Sequence, residues 1–254
     1  MKAILAAAAL TLSAAIPASA LDLSAMNEDE KKAFGEAVRE YLMANPEVLL
    51  ESINVLEVRR AEQEVENDKQ LVANFQKELF EDGHSWVGGN PDGDLTIVEF
   101  MDYKCVYCRR VMPDVTSAVE ADGNIRFIVK EFPILGTSET SESRMGARFA
   151  IATQQVAGDE AYETIHNALM TTEEPLNLVT LRKIAEDNKL DAKAIIDRMN
   201  TEDVTAVLRA NAQLAQSMGI QGTPTFVIGT ELLRGVPPQG IAEVVKQVRA
   251  NKAE

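Results

Sequence analysis

Between residues 27 and 80 the apolar side chains recur every three or four positions. Phe34, Val38, Tyr41 and Leu42 form one group, Leu49, Ile53 and Leu56 a second, and Val72, Phe75 and Leu79 a third. This spacing predicts helices. Asn45-Pro46 interrupts the first pair of groups, and Pro46 suits the first position of a new helix. Residues 57–70 are almost wholly polar, broken by Val58, Ala61 and Val65. An apolar stripe on a helical segment far in sequence from any core needs cover. Either it folds back on its own domain or it meets a second copy of the chain. Its exposure favours self-association, with the polar middle as a stalk.

After an irregular lead-in at residues 83–94, rich in Gly, Asn and Pro, the pattern becomes β/α. Leu95-Thr96-Ile97-Val98-Glu99-Phe100 reads as a buried strand and Cys105 to about Ala121 as a helix, kinked at Pro113. Ile125-Arg126-Phe127-Ile128-Val129-Lys130 is a second strand. Residues 141–218 are helical in several pieces, with breaks at 171–175 and 188–191. Thr225-Phe226-Val227-Ile228 and Glu231-Leu232-Leu233-Arg234 give two more strands about the turn at Gly229-Thr230. Ile241, Val244, Val245 and Val248 mark a closing amphipathic helix. The order is β-α-β, a long helical insertion, then β-β-α.

Two global features change this picture. The first twenty residues carry Lys2, an apolar run from Ile4 to Leu12 and a small-residue Ala18-Ser19-Ala20 site, which reads as a cleaved export signal. The run is too short for a comfortable membrane span. The protein is therefore expected in a periplasm or similar exported space, with residues 21–82 as a helical arm and 83–254 as the main domain. Charge is strongly acidic, 25 Lys+Arg against 40 Asp+Glu for a net −15. That disfavours a nucleic-acid partner.

Export puts weight on the only two cysteines, Cys105 and Cys108. A structural staple across three positions closes too short a loop to stabilise much, and a chain of this size can bury a core without it. A Cys-x-x-Cys at a helix start instead suits reversible exchange, since the positive end of the helix stabilises a thiolate on the first cysteine. Cys105 is expected to be the exposed nucleophile and Cys108, one turn in, the buried resolving thiol. Val106 and Tyr107 lie between them and tune the redox balance. No metal or organic cofactor is required.

The order of elements, with Glu99-Phe100, Cys105-Val106-Tyr107-Cys108 and Gly222-Thr223-Pro224-Thr225-Phe226, resembles the DsbA-like branch of the thioredoxin superfamily. Residues 41–48, Tyr41-Leu42-Met43-Ala44-Asn45-Pro46-Glu47-Val48, are similar to the oligomerisation arm of ScsC-like proteins. The resemblance implies an α/β, thioredoxin-like fold with a helical insertion, preceded by a helical arm. It implies that Pro224 is a cis-proline with Thr223 before it, in a loop that faces the dithiol and leaves backbone groups for an extended substrate. Glu99 matches the acidic residue beneath the active site and would relay a proton to or from Cys108; the plainer reading is a strand-end residue reaching solvent. Lys130 is a candidate partner for it. The activity implied is thiol–disulfide exchange on unfolded or misoxidised exported proteins, with a membrane redox partner and a homo-oligomer built through the arm.

A second class fits the same dithiol, a copper(I) carrier or copper-tolerance protein, for which soft thiolates are suitable. Other residues weigh less. His84 and His166 are expected at the surface or locally bonded rather than as ligands. Met101, Met112 and Met145 sit at core-like positions. Tyr103 and Lys104 flank the dithiol and are expected to shape its docking surface.

Overall fold

The computed structural model describes residues 26–136 and 138–252. The expected export signal, residues 1–20, lies outside the described residues. Among the described residues no helix is long and apolar enough to cross a membrane. The chain divides into two compact units between Arg59 and Arg60.

The first unit is helical. α1 (Glu28–Ala44) starts at a capping box in which the Asn27 side chain accepts the Glu30 amide and the Glu30 carboxylate accepts the Asn27 amide. Two otherwise orphaned amides are thereby bonded. α2 (Glu47–Asn74) begins after Pro46 and runs on into the second unit. Phe34, Tyr41, Leu49, Ile53 and Leu56 are all about half exposed.

The second unit begins earlier than the lead-in at residue 83. Val72 and Leu79, from the end of α2 and from α3 (Gln76–Phe80), are buried among Val98, Phe100, Ile128, Leu214 and Met218. Each such burial is worth roughly 1.5–3 kcal/mol. The third apolar group of the sequence therefore belongs to the domain core, and only the first two remain uncovered. Arg234 adds a bidentate ion pair to Asp68 of α2, at 2.6 and 2.8 Å.

The lead-in at 83–94 contains a strand that the breaker-rich sequence hides. β1 (Trp86–Gly89) pairs antiparallel with β3 (Ile125–Glu131) at the sheet edge. Gly88 is required there, since a Cβ would lie 2.1 Å from the Trp86 ring. β2 (Leu95–Met101) runs parallel to β3 and antiparallel to β4 (Thr225–Ile228), which pairs with β5 (Glu231–Arg234). The five-stranded order is β1-β3-β2-β4-β5. Between β2 and β3 runs α4 (Val106–Asp122), which packs with α10 (Ile241–Lys252) over Leu95, Ile97, Ile125 and Phe226.

Five helices make the insertion: α5 (Glu142–Ala157), α6 (Asp159–Thr171), α7 (Leu178–Asp187), α8 (Ala192–Met199) and α9 (Glu202–Ser217). Two of their breaks, at Gly158 and at Asn200-Thr201, carry no proline and are not evident from the sequence. The Gly158 φ of 87° explains one of them, because other residues rarely adopt it.

Because strand side chains alternate faces, the register decides which groups meet. Glu99 stands opposite Val129, and Phe100 opposite Lys130. Glu99 thus faces the α4 side, while Lys130 faces α3. There the Lys130 ammonium pairs with the Asp82 carboxylate and bonds the Glu78 carbonyl at 2.7 Å. The expected Glu99–Lys130 pair does not form.

Candidate active site

Parallel pairing brings the C-terminal ends of β2 and β3 to one edge, and antiparallel β4 starts at that edge because Thr225 pairs with Phe100. The β2–α4 turn and the loop entering β4 therefore face each other. Cys105 is the N-cap of α4, and its Sγ lies 3.1 Å from the Thr223 carbonyl oxygen, positioned to donate to it. The Thr223–Pro224 peptide bond is cis. The Pro224 carbonyl is bonded by the Gly235 amide at 3.0 Å.

Both cysteines are free thiols. Cys108 is fully buried; burial pushes its thiol strongly up, and the Glu99 charge adds to this. Cys105, expected to be exposed, is only 6% accessible. The Thr223 carbonyl and the core around Cys108 cover it. The exposed groups are Val106 and Tyr107, about 60% accessible each, which form a rim beside the thiol. The Arg110 guanidinium lies 5.7 Å from the centre of the Tyr107 ring.

The turn before Cys105 is set by a residue outside the Cys-x-x-Cys and Thr-Pro motifs. Asp102 is buried, and its Oδ1 accepts the Lys104 amide at 2.8 Å. Its Oδ2 accepts the Ile134 and Leu135 amides at 2.9 and 3.0 Å, and its carbonyl accepts the Cys105 amide at 3.0 Å. One side chain thus joins the loops that follow β2 and β3. The sequence signal was an aspartate directly after an apolar strand and three residues before a cysteine.

Tyr103, expected at a docking surface, is fully buried and donates to Glu131 Oε1 at 2.7 Å. Tyr162 donates to the same oxygen at 2.6 Å. His166 is also buried and, of the two expected placements, takes the locally bonded one, with Nδ1 3.1 Å from the Tyr103 hydroxyl. Lys104 remains near the surface and pairs with Glu142 at 2.9 Å. Arg109 ties α4 to the insertion by donating to the Met170 carbonyl at 2.8 Å and to that of Thr172.

Glu99 is buried, not a solvent-reaching strand end, and its Oε1 has no hydrogen-bond partner among the described residues. Burial, aided by the Glu131 charge, pushes its carboxyl up to about 8. It lines a cavity of about 790 Å³ whose other walls include His166, Met112 and Phe127, and whose rim carries Glu160, Glu163 and Asn167. A buried carboxyl near Cys108 with a route toward solvent has the placement of a proton acceptor.

The raised carboxyl has a consequence for stability. The unfolded chain ionises Glu99 near the ordinary 4.5, the folded chain only near 8. Folding therefore takes up a proton between those values, and its contribution is lost as pH rises from about 4.5 to about 8. Glu99→Gln is expected to stabilise the fold at pH 8.5 by about 4–5 kcal/mol at most. At pH 4.5 it should have little effect. Chemical denaturation at both pH values checks the difference.

Sequence comparison matches residues 96–245 to the DSBA-like thioredoxin domain. The chain belongs to the DsbA-like thioredoxin family. Residues 30–63 also match the copper resistance protein ScsC N-terminal domain. A solved thioredoxin-like oxidoreductase from Silicibacter pomeroyi DSS-3 is 36% identical, with a TM-score of 0.63, over 70% of this chain and 98% of that one. ScsC of Proteus mirabilis in a transitional conformation is 28% identical, TM-score 0.62, over 90% of this chain and 99% of its own. Among curated sequences, a probable disulfide bond formation protein D of Bacillus cereus is 24% identical over 57% of this DsbA-like chain and 69% of the relative. Two sodium/proton antiporters NhaA of Salinispora also align, but the chain spans only 21% of their length.

Proposed function

We propose that this DsbA-like chain is an exported thiol–disulfide oxidoreductase acting on proteins through Cys105 and Cys108. The observation that carries the proposal is the cysteine pair at the α4 N-terminus under the Thr223–Pro224 loop, with Cys105 Sγ 3.1 Å from the Thr223 carbonyl. In the reducing direction the Cys105 thiolate attacks a substrate disulfide and releases one substrate thiolate. Cys108 then gives up its proton, attacks the Cys105 sulfur, and releases the second thiolate. The same steps reversed oxidise a substrate dithiol. Glu99 takes the Cys108 proton, and an extended substrate lies along Thr223 and Pro224 with its side chains against Val106 and Tyr107.

A periplasmic setting is supported by the ScsC-like arm and by the export pattern of residues 1–20. Reduced full-length protein is expected to accelerate insulin reduction, and oxidised protein to oxidise a peptide dithiol. Absence of both activities overturns the proposal. The exposed apolar positions of α1 and early α2 support a homo-oligomer, which suits isomerisation because several dithiols are held together. Light scattering is expected to give a multiple of the chain mass for the mature protein, and a smaller state when residues before Arg60 are deleted. A monomer in both cases removes the support for isomerisation.

A further inference from the structure

The exchange chemistry accounts for Glu99 but not for the second buried carboxylate on the same face. Glu131 follows Val129 at period two on β3, and Glu99 precedes Met101 on β2. Since Glu99 pairs with Val129 and Met101 with Glu131, the two carboxylates are diagonal neighbours on the α4 side of the sheet. Both are buried. Like charges so placed hold each other's protons.

Hydrogen bonding distinguishes them. Glu131 Oε1 lies 2.7 Å from the Tyr103 hydroxyl and 2.6 Å from that of Tyr162. Each hydroxyl has one proton to give, and two of them aimed at one oxygen are what a carboxylate takes, at distances usual for an ionised acceptor. With the Tyr103 proton on Glu131, His166 donates to Tyr103 from Nδ1, 3.1 Å away. Burial pushes His166 down to about 4, so it brings no positive charge. Among the described residues neither Glu99 Oε1 nor Glu131 Oε2 has a donor, so the difference between the two carboxyls is the pair of hydroxyls at Glu131 Oε1. The other titratable groups around the pair are Cys108 from α4, Asp102 from the β2–α4 turn, and Glu160 and Glu163 of α6 at the exposed rim of the cavity that Glu99 lines. Lys130 is turned to the opposite face, at Asp82.

We propose that Glu131 is a positioning residue for exchange: its charge, stabilised by Tyr103 and Tyr162, holds the proton on Glu99 and sets the pH at which Glu99 can accept the Cys108 proton. As pH rises the first proton of the pair leaves Glu131, and the second leaves Glu99 only later. Burial pushes Glu131 up to about 8, with the two tyrosine hydroxyls opposing it, so the pair titrates together across the alkaline edge of neutrality. The device lets the domain resolve mixed disulfides slowly in a mildly acid space and faster as pH rises. It rests on the exchange activity proposed above.

The test is the single-turnover resolution of a Cys105–glutathione mixed disulfide by Cys108, followed from pH 5.5 to 9.5. The wild-type rate is expected to rise with a midpoint near that of Glu99. In Glu131→Gln the midpoint should fall by about one pH unit, giving a several-fold faster reaction at pH 7. Tyr162→Phe, which removes one donor from Glu131, should move it the same way by less. Glu99→Gln should lose the transition, and adding Glu131→Gln to it should change nothing. A merely structural Glu131 would alter stability and leave the midpoint in place. An unchanged midpoint in folded Glu131→Gln overturns the inference; should that variant not fold, an unchanged midpoint in both Tyr162→Phe and Tyr103→Phe does so. Wild-type protein that never resolves the mixed disulfide defeats the exchange reading itself, which is a different result.

Discussion

Cys105→Ser is expected to lower catalysed insulin reduction and dithiol oxidation by about a thousandfold or more, to the uncatalysed level. Serine has the size of cysteine and keeps a hydroxyl for the Thr223 carbonyl that Cys105 Sγ approaches at 3.1 Å. The fold should therefore survive, and the loss should be chemical. A hydroxyl at neutral pH is neither a good nucleophile nor able to form the mixed disulfide. The paired variant separates the two roles. Cys108→Ser should still react once at Cys105 and then stall, leaving a trapped mixed disulfide visible by mass, because Cys108 is the buried group placed to release it. Full turnover in Cys105→Ser would show that the dithiol is not the reacting group. Trapping in Cys105→Ser rather than in Cys108→Ser would reverse their order.

That much was legible from spacing. Two cysteines three apart at a helix start point to an exchange site, while the placement of Thr223-Pro224 opposite them came from the resemblance to the DsbA-like family, not from spacing. The order β-α-β, insertion, β-β-α was legible too, because runs such as Leu95 to Phe100 and Ile125 to Lys130 are apolar and bounded by turns. β1 was not, since a four-residue edge strand with two glycines has the composition of a loop. Its identity depends on the partner β3, not on its own sequence. The polar interior was hidden for the same reason. Glu131, Tyr103, Tyr162 and His166 lie up to 63 positions apart, and only the pairing of β2 with β3 and the packing of α6 bring them together. Local sequence also misdirected Lys130: it is near Glu99 along the sheet, but strand alternation sends it to the other face, where Asp82 holds it.

Asp102→Ala is expected to destabilise the domain by about 3–6 kcal/mol, more than any other single polar change at this edge. Three backbone amides, those of Lys104, Ile134 and Leu135, lose their acceptor at once. Each partly buried donor left without a partner costs about 1–3 kcal/mol, and alanine admits little water to replace the lost oxygens. Asp102→Asn keeps one of the two oxygens and turns an amide group toward donors at the other, so its loss should fall between wild type and alanine. The turn also bears on the chemistry. The Asp102 turn fixes the Cys105 amide at 3.0 Å and with it the N-cap position from which the thiol meets Thr223. Below its unfolding transition, Asp102→Asn should therefore show exchange slowed by about tenfold or more, since a shift of an ångström at a reacting atom has that order of consequence. Urea unfolding measures the first effect and single-turnover exchange the second. A variant that loses stability but exchanges at the wild-type rate would mean that α4 and the Thr223 loop hold Cys105 without help from the turn.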